Sequence, residues 1–323
     1  MVGPSKRASR RSVGRLVPLL IAAFGLLVAS ATGSAQTKNG FDLSNALIPA
    51  DEILRGGPPR DGIPALTNPR FEPVEEAGWM NPDDRLMALE RGGVAKAYPL
   101  RIITWHEIVN DEVGGEPVAV TYCPLCGTGM AFDPVVDGRR LEFGVSGLLY
   151  NSDVLMYDRG TESLWSQIRR QAVTGPMRGE RLEMIPLTHT TWERWAREHP
   201  DGLVLSRRTG HDRDYSRDPY LQYASSPGTM FPVAHEDDRL PEKAMVLGIE
   251  GENGAKAFPL DALGEVPRPV RAEVGDREVF VYWFADSWTA FATTLDGERI
   301  PATLAFWFAW SAFYPETEVW SAE

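Results

Sequence analysis

Cysteine is nearly absent: two occur in 323 residues, so a four-thiolate metal site within one chain and a framework of several disulfides are both excluded. Positive charge is scarce as well. The 33 Lys and Arg stand against 45 Asp and Glu, a formal net charge of -12, and so acidic a surface repels nucleic acid. No basic patch, phosphate-binding glycine loop, serine nucleophile elbow or paired zinc-protease histidines occur to offset this. The apolar stretch Leu16 to Ala29 is too short and too rich in Gly and Ala to read as a membrane span, which needs roughly 20 apolar residues.

What that stretch does fit is an export signal over residues 1–35. Lys6, Arg7, Arg10, Arg11 and Arg15 form the basic region, and Gly33-Ser34-Ala35 supplies small residues for cleavage. Its removal would take five positive charges and no negative ones, moving the formal charge from -12 to -17. The expected location is therefore periplasmic or extracellular, with membrane contact only through an uncleaved signal. The rest, 43% hydrophobic over the whole chain and with ten Trp, can bury a large core without disulfide support.

The two cysteines sit together in Tyr122-Cys123-Pro124-Leu125-Cys126-Gly127, after the strand-like Pro117 to Thr121. Two thiols at that spacing chelate a soft metal in a tight turn or cycle between dithiol and disulfide. In the metal reading the missing ligands must be His, Met, Asp or Glu. His106 is the first candidate, because it precedes the strand that delivers Cys123; Met130 is the second. Two thiolates, an imidazole and a thioether suit copper first and zinc second. The metal reading requires His106 within roughly 2–4 Å of a point shared with both sulfurs. In the alternative, an extracytoplasmic thiol-disulfide oxidoreductase, Cys123 attacks and His106 is the base, with a redox partner protein in place of a metal donor. Gly127-Thr128-Gly129 and further strand-like sequence follow Cys126, where a thioredoxin-like protein would open a helix. A static disulfide is the third reading.

The remaining histidines, His189, His199, His211 and His235, are scattered, and packing or turn roles fit them better than ligation. Asp153 and Asp158, near Tyr150 and Asn151, could orient His106 but fit turn formation better. Trp165-Ser166-Gln167 could line a pocket beside the thiols, although a Trp with polar neighbours is usually core edge.

The chain repeats itself. Ala95-Lys96-Ala97-Tyr98-Pro99-Leu100 returns as Ala255-Lys256-Ala257-Phe258-Pro259-Leu260 at an offset of 160, and Val118-Ala119-Val120 as Val279-Phe280-Val281 at 161. Ala131-Phe132 then matches Ala290-Phe291 at 159, which predicts about two extra residues in the cysteine turn. Trp192 with Trp195 is echoed by Trp307 with Trp310, each pair three apart as on a helix face against a core. Ordered echoes of this kind predict a β-rich α+β fold of two divergent internal repeats packed as one pseudo-symmetric unit. Its expected parts are an extended arm over 36–75, a first repeat over 76–240 with the cysteine site and an inserted segment, and a shorter second repeat over 241–323 without the site. Strands are expected at 86–89, 117–122, 129–135, 140–145, 154–157, 244–249 and 278–284, and helices at 190–197 and 304–313.

Thr104-Trp105-His106-Glu107-Ile108-Val109-Asn110-Asp111, the Cys-Pro-Leu-Cys-Gly-Thr turn, Tyr150-Asn151-Ser152-Asp153, Leu164-Trp165-Ser166-Gln167 and Asp218-Pro219-Tyr220 occur in one order. Together they resemble the prokaryotic family catalogued as domain of unknown function 3179, over roughly residues 45 to 320. The resemblance implies an exported or membrane-associated protein and carries over no reaction; His106, Cys123 and Cys126 match its motifs residue by residue.

Overall fold

In the computed structural model, which describes residues 1–5 and 36–322, strands dominate and helices are short, as a β-rich α+β chain requires. The expected signal at 1–35 lies outside the described residues, apart from its first five. Among the described residues no helix is long and apolar enough to cross a membrane.

Two nine-stranded sheets and one of five strands carry the fold. The first runs Glu318–Val319, Gly254–Pro259, Met245–Gly251, Thr303–Phe306, Thr128–Asp133, Glu116–Cys123, Ile108–Val113, Leu66–Thr67, with Glu183–Ile185 added beside Thr128–Asp133. The second runs Leu203–Leu205, Val94–Pro99, Arg85–Arg91, Thr188–Thr191, Thr289–Thr293, Arg277–Phe284, Val270–Val274, with Phe71–Pro73 at one edge and Arg299–Ile300 beside Thr289–Thr293. Each sheet thus draws strands from both ends of the sequence. The seams are Gly129 opposite Leu304 and His189 opposite Ala290.

Registers repeat with the strand orders. Leu86 faces Pro99 as Val246 faces Pro259, and Leu203 faces Lys96 as Glu318 faces Lys256. Cys123 faces Thr128 as Phe284 faces Thr289, with four residues in each turn. The expected two-residue excess at the cysteine turn is therefore absent: pairing aligns Ala131 with Ala292 rather than Ala290. Pairing also sets Phe284 at the place of Cys123, Ser287 at that of Cys126 and Trp288 at that of Gly127. Gly127 and Trp288 both take left-handed backbone, at φ 61° and 50°. Only glycine adopts that region without cost.

Both helices begin later than the Trp spacing suggests, at Trp192–Glu198 and Trp307–Phe313. The preceding Thr188–Thr191 and Thr303–Phe306 are drawn into strands, where pairing with Arg85–Arg91 and Met245–Gly251 outweighs helical spacing. Trp195, Trp307 and Trp310 are buried in the core.

The third sheet has no equivalent after Thr293. It runs Gln171–Ala172, Leu164–Ser166, Asp153–Asp158, Phe143–Tyr150, Leu54–Arg55, and all but the last of these strands fall in the long excursion between Asp133 and Glu183. The stretch 36–75 supplies an edge strand to each sheet, Leu54–Arg55, Leu66–Thr67 and Phe71–Pro73, which covers edges that would otherwise expose unpaired backbone.

Candidate metal centre

The strand Glu116–Cys123 delivers Cys123, and the turn brings Cys126 back beside it, with the Cys126 amide donating to the Cys123 carbonyl at 3.2 Å. The Phe306 amide donates to the Cys126 carbonyl at 2.8 Å and anchors the turn. A β-carbon at Gly127 would stand 3.2 Å from the Phe306 ring, a second reason for glycine there.

A hairpin tip from the third sheet closes over the thiols. Tyr150 faces Asp153, and Asn151 and Ser152 between them both have positive φ, 52° and 63°, the geometry of a type I′ turn. The tip is pinned on both sides. The Asn151 side-chain oxygen accepts from the Ala234 amide at 2.8 Å, and the Ser152 hydroxyl donates to the Phe231 carbonyl at 2.8 Å. The Ser152 carbonyl then accepts from Cys126 Sγ at 3.4 Å and Cys123 Sγ at 3.8 Å.

This places the Asp153 carboxylate against the sulfurs. One donor atom from each of Cys123, Cys126 and Asp153 lies within 4.8 Å of the other two, and the residues are at most 1% exposed. Asp153 Oδ2 accepts from the Ile168 amide at 3.1 Å; its Oδ1 is buried without a partner. Both cysteines are free thiols.

Every ionisable group here is an acid. Burial pushes the Asp153 carboxyl up to about 7, against the Ile168 amide and the neighbouring Val154 amide and thiols, which favour its charge. Burial, and then the Asp153 charge, push the buried Glu107 up to about 8. Burial and the neighbouring Cys123 and Asp153 raise the Cys126 thiol well above its ordinary value. Among the described residues no Lys or Arg hydrogen-bonds or ion-pairs with any of the four.

The structure brings Cys123 and Cys126 together but does not bring His106 to them. The His106 Nδ1–H donates to the Pro64 carbonyl at 2.7 Å, and Nε2 accepts from the Tyr215 hydroxyl at 2.7 Å, so both ring nitrogens are engaged. Burial, then His211 and Arg213, hold it down at about 4, against the bond to Pro64, so it stays neutral. The physical reason is this pair of bonds, which holds the ring between Pro64 and Tyr215. The next residue, Glu107, is left-handed at φ 58°. Its carbonyl accepts from the Tyr122 amide at 2.7 Å, next to Cys123. Replacing His106 with Gln should therefore leave metal affinity within about threefold while costing roughly 1–3 kcal/mol of stability for unpaired buried partners. Metal titration and urea denaturation of the same preparation check both halves.

Met130 is buried in the same apolar cluster as both cysteines, opposite Thr121 and so on the face that carries Cys123. Gln167 donates to Thr121 Oγ1 at 2.8 Å and to the Thr128 carbonyl at 3.4 Å, bracing the strands that flank the turn. Trp165 is core: its indole donates to Asp158 at 3.0 Å, and Asp158 also caps the turn at Thr161. His189 is buried at the second seam, His199 packs on Trp195, His211 lies beside His106, and His235 stands 3.9 Å from Asp237.

In the sequence Asp153 reads as a turn former before a group that orients His106, and Glu107 carries no signal beyond its place beside His106. For Asp153 the signal was the Asn-Ser pair of a tight hairpin, which fixes where the next side chain goes.

A family described as "Protein of unknown function (DUF3179)" matches residues 60–298. No curated protein and no solved structure matches the chain.

Proposed function

The chain belongs to this family of proteins of unknown function, and we propose from the site itself that it binds one divalent metal ion through Cys123, Cys126 and Asp153. The observation that carries this reading is the meeting of three buried acids, Cys123, Cys126 and Asp153, with no cationic partner among the described residues, and with the buried Glu107 close enough to feel the Asp153 charge. Buried charge is tolerated when it is paired or bound to metal. A bound dication would turn the cost of ionising these groups into attraction, and the partnerless Asp153 Oδ1 is a free donor for it.

Two thiolates and a carboxylate favour zinc, a borderline ion, over copper(I), which prefers sulfur and imidazole. Copper becomes the second choice once Asp153 stands where His106 was expected. Three protein ligands leave a fourth position for a water or a reacting group. Thiol exchange is the weaker alternative: the attacking species is a thiolate, and here the Cys126 thiol is pushed up and both sulfurs are shielded from solvent.

The same reading takes 76–240 and 241–323 as diverged copies whose matching strand orders support a duplication, only the first having gained the thiols and the hairpin that covers them. It also keeps residues 1–35 as an export signal, so that zinc is loaded outside the cytoplasm, by a metal-donor protein or from solution.

Titration of untagged, metal-free protein with zinc, and with cobalt as a spectroscopic stand-in, tests the proposal. One equivalent should bind, cobalt should show thiolate charge transfer, and Cys126→Ser should weaken binding by at least about 100-fold, since losing outer partners alone costs about 10–100-fold. No saturable binding by the wild-type protein would discard it.

A further inference from the structure

Outside the cysteine turn lies a cleft of about 550 Å³, walled by Pro124 and Gly127 of that turn, by Trp288 of the matching turn, and by Tyr122, Tyr220 and Phe306. Its charged side chains are Arg85, Arg101, Arg217 and Lys243 against Asp84 and Asp218. Most are already committed. Arg101 pairs with Asp84 at 2.9 Å, Lys243 donates to the Tyr223 and Ser226 carbonyls at 2.6 and 2.8 Å, and Asp218 accepts from the Tyr220 amide at 2.8 Å. Arg217 is exposed at the rim.

Arg85 is different. It is partly buried, and its guanidinium has no hydrogen bond or ion pair with another described residue. It lies 4.0 Å from the Trp288 ring centroid, so one flat face is covered while its N–H edge makes no hydrogen bond to another described residue. Burial lowers its pKa, the direction expected of a cation lacking its counterion. The scaffold does not call for a charge here. Arg85 faces Thr191 and Met245 faces Phe306 in equivalent registers, so a methionine fills the matching position, and Met245 lines the same cleft. Nor is Arg85 part of a generally basic surface, because the chain carries a net charge of -12.

We propose that this cleft binds a small organic oxyanion, a carboxylate or phosphate monoester with an apolar or aromatic body, whose oxygens meet the N–H edge of Arg85 while its body lies among Tyr122, Trp288 and Phe306. Bidentate pairing with planar oxyanions is what a guanidinium does better than an ammonium. A cavity of this volume falls in the usual range for small-molecule sites, and aromatic walls with one fixed charge are their usual composition. The site stands independently of the metal reading.

The test is calorimetric titration of the full chain with benzoate, phenyl phosphate and the uncharged benzamide, followed in parallel by tryptophan fluorescence. At least one anion should bind saturably, with benzamide at least tenfold weaker. Arg85→Met, the residue of the matching strand, should lose at least tenfold in anion affinity while its melting temperature holds or rises; Arg85→Lys should keep part of the binding. Cys126→Ser should bind the anion unchanged, which separates this outcome from the fate of the metal site. Should neither anion bind at millimolar concentration, or should Arg85→Met bind as the wild type does, the proposal fails. A response to only one anion identifies the oxyanion class.

Discussion

Asp153→Asn will make the metal-free protein more stable at pH 8 and, in the same molecule, weaken zinc binding by about 100-fold or more. The two effects have one cause. Without metal, the carboxylate is a buried charge held among thiols and beside Glu107, and its folded pKa of about 7 against an ordinary 3.8 records what that costs. Asparagine keeps the shape and leaves an oxygen to accept from the Ile168 amide, so the gain at pH 8 should be about 1–3 kcal/mol after allowing for imperfect pairing of the new amide. In the proposed metal-bound form the same carboxylate would supply one of three ligands, for which the amide is a poor replacement. Chemical denaturation in chelator at pH 8 and a competitive zinc titration measure the two sides. A variant that is destabilised without metal, or that keeps full zinc affinity, removes Asp153 from the site.

Metal-free protein should lose stability as pH rises from 6.5 to 8, and zinc should reverse that slope. An acid whose folded pKa stands above its unfolded value holds its proton more tightly when folded, so its contribution is full below the unfolded pKa and is lost as pH rises through the folded one. For Asp153 the interval runs from 3.8 to about 7, and for Glu107 from 4.5 to about 8. Buried His106 and His189 act in the opposite sense, with folded values near 4 and 3 below an ordinary 6.5; burial dominates both. Their contribution is lost as pH falls below 6.5, so between about 4.5 and 6.5 the two pairs oppose each other. Above 6.5 the unfolded histidines, half protonated at that pH, shed their remaining protons by about pH 7.5, so they offset part of the carboxyl loss without reversing it. A net fall of about 1–2 kcal/mol by pH 8 follows from these intervals. Zinc displaces the protons from its ligands, so binding strengthens as pH rises and the loaded protein should gain stability over the same range. Urea midpoints at pH 6.5, 7.2 and 8, with chelator and with zinc, decide it. Parallel slopes in the two conditions would show that the metal does not engage these carboxyls.

Much was legible without coordinates where the signal is local. Two cysteines three apart after a β-branched run announce a strand and a tight turn, and the fold supplies both, with Gly127 left-handed where only glycine is at ease. Lys-Ala-aromatic-Pro-Leu marks the same local structure twice, at Pro99 and Pro259, where a strand ends and a short helix begins. The offset of 159 misled: Ala131-Phe132 resembles Ala290-Phe291 in letters, while hydrogen-bond register sets Ala131 with Ala292. Register belongs to paired strands, and a single strand's composition does not contain it.

By itself the sequence determined the thiol turn, the predominance of strands and the Trp-bearing helices, all set by spacings within a few residues. Tertiary structure alone decided which groups share the site with the sulfurs. Asp153 arrives on a hairpin almost thirty residues beyond the turn, docked by Asn151 and Ser152 against the 231–234 segment, while His106, closer in sequence, is held between Pro64 and Tyr215. Long-range strand pairing sets those positions, and chain separation carries no record of which sheets will pack together.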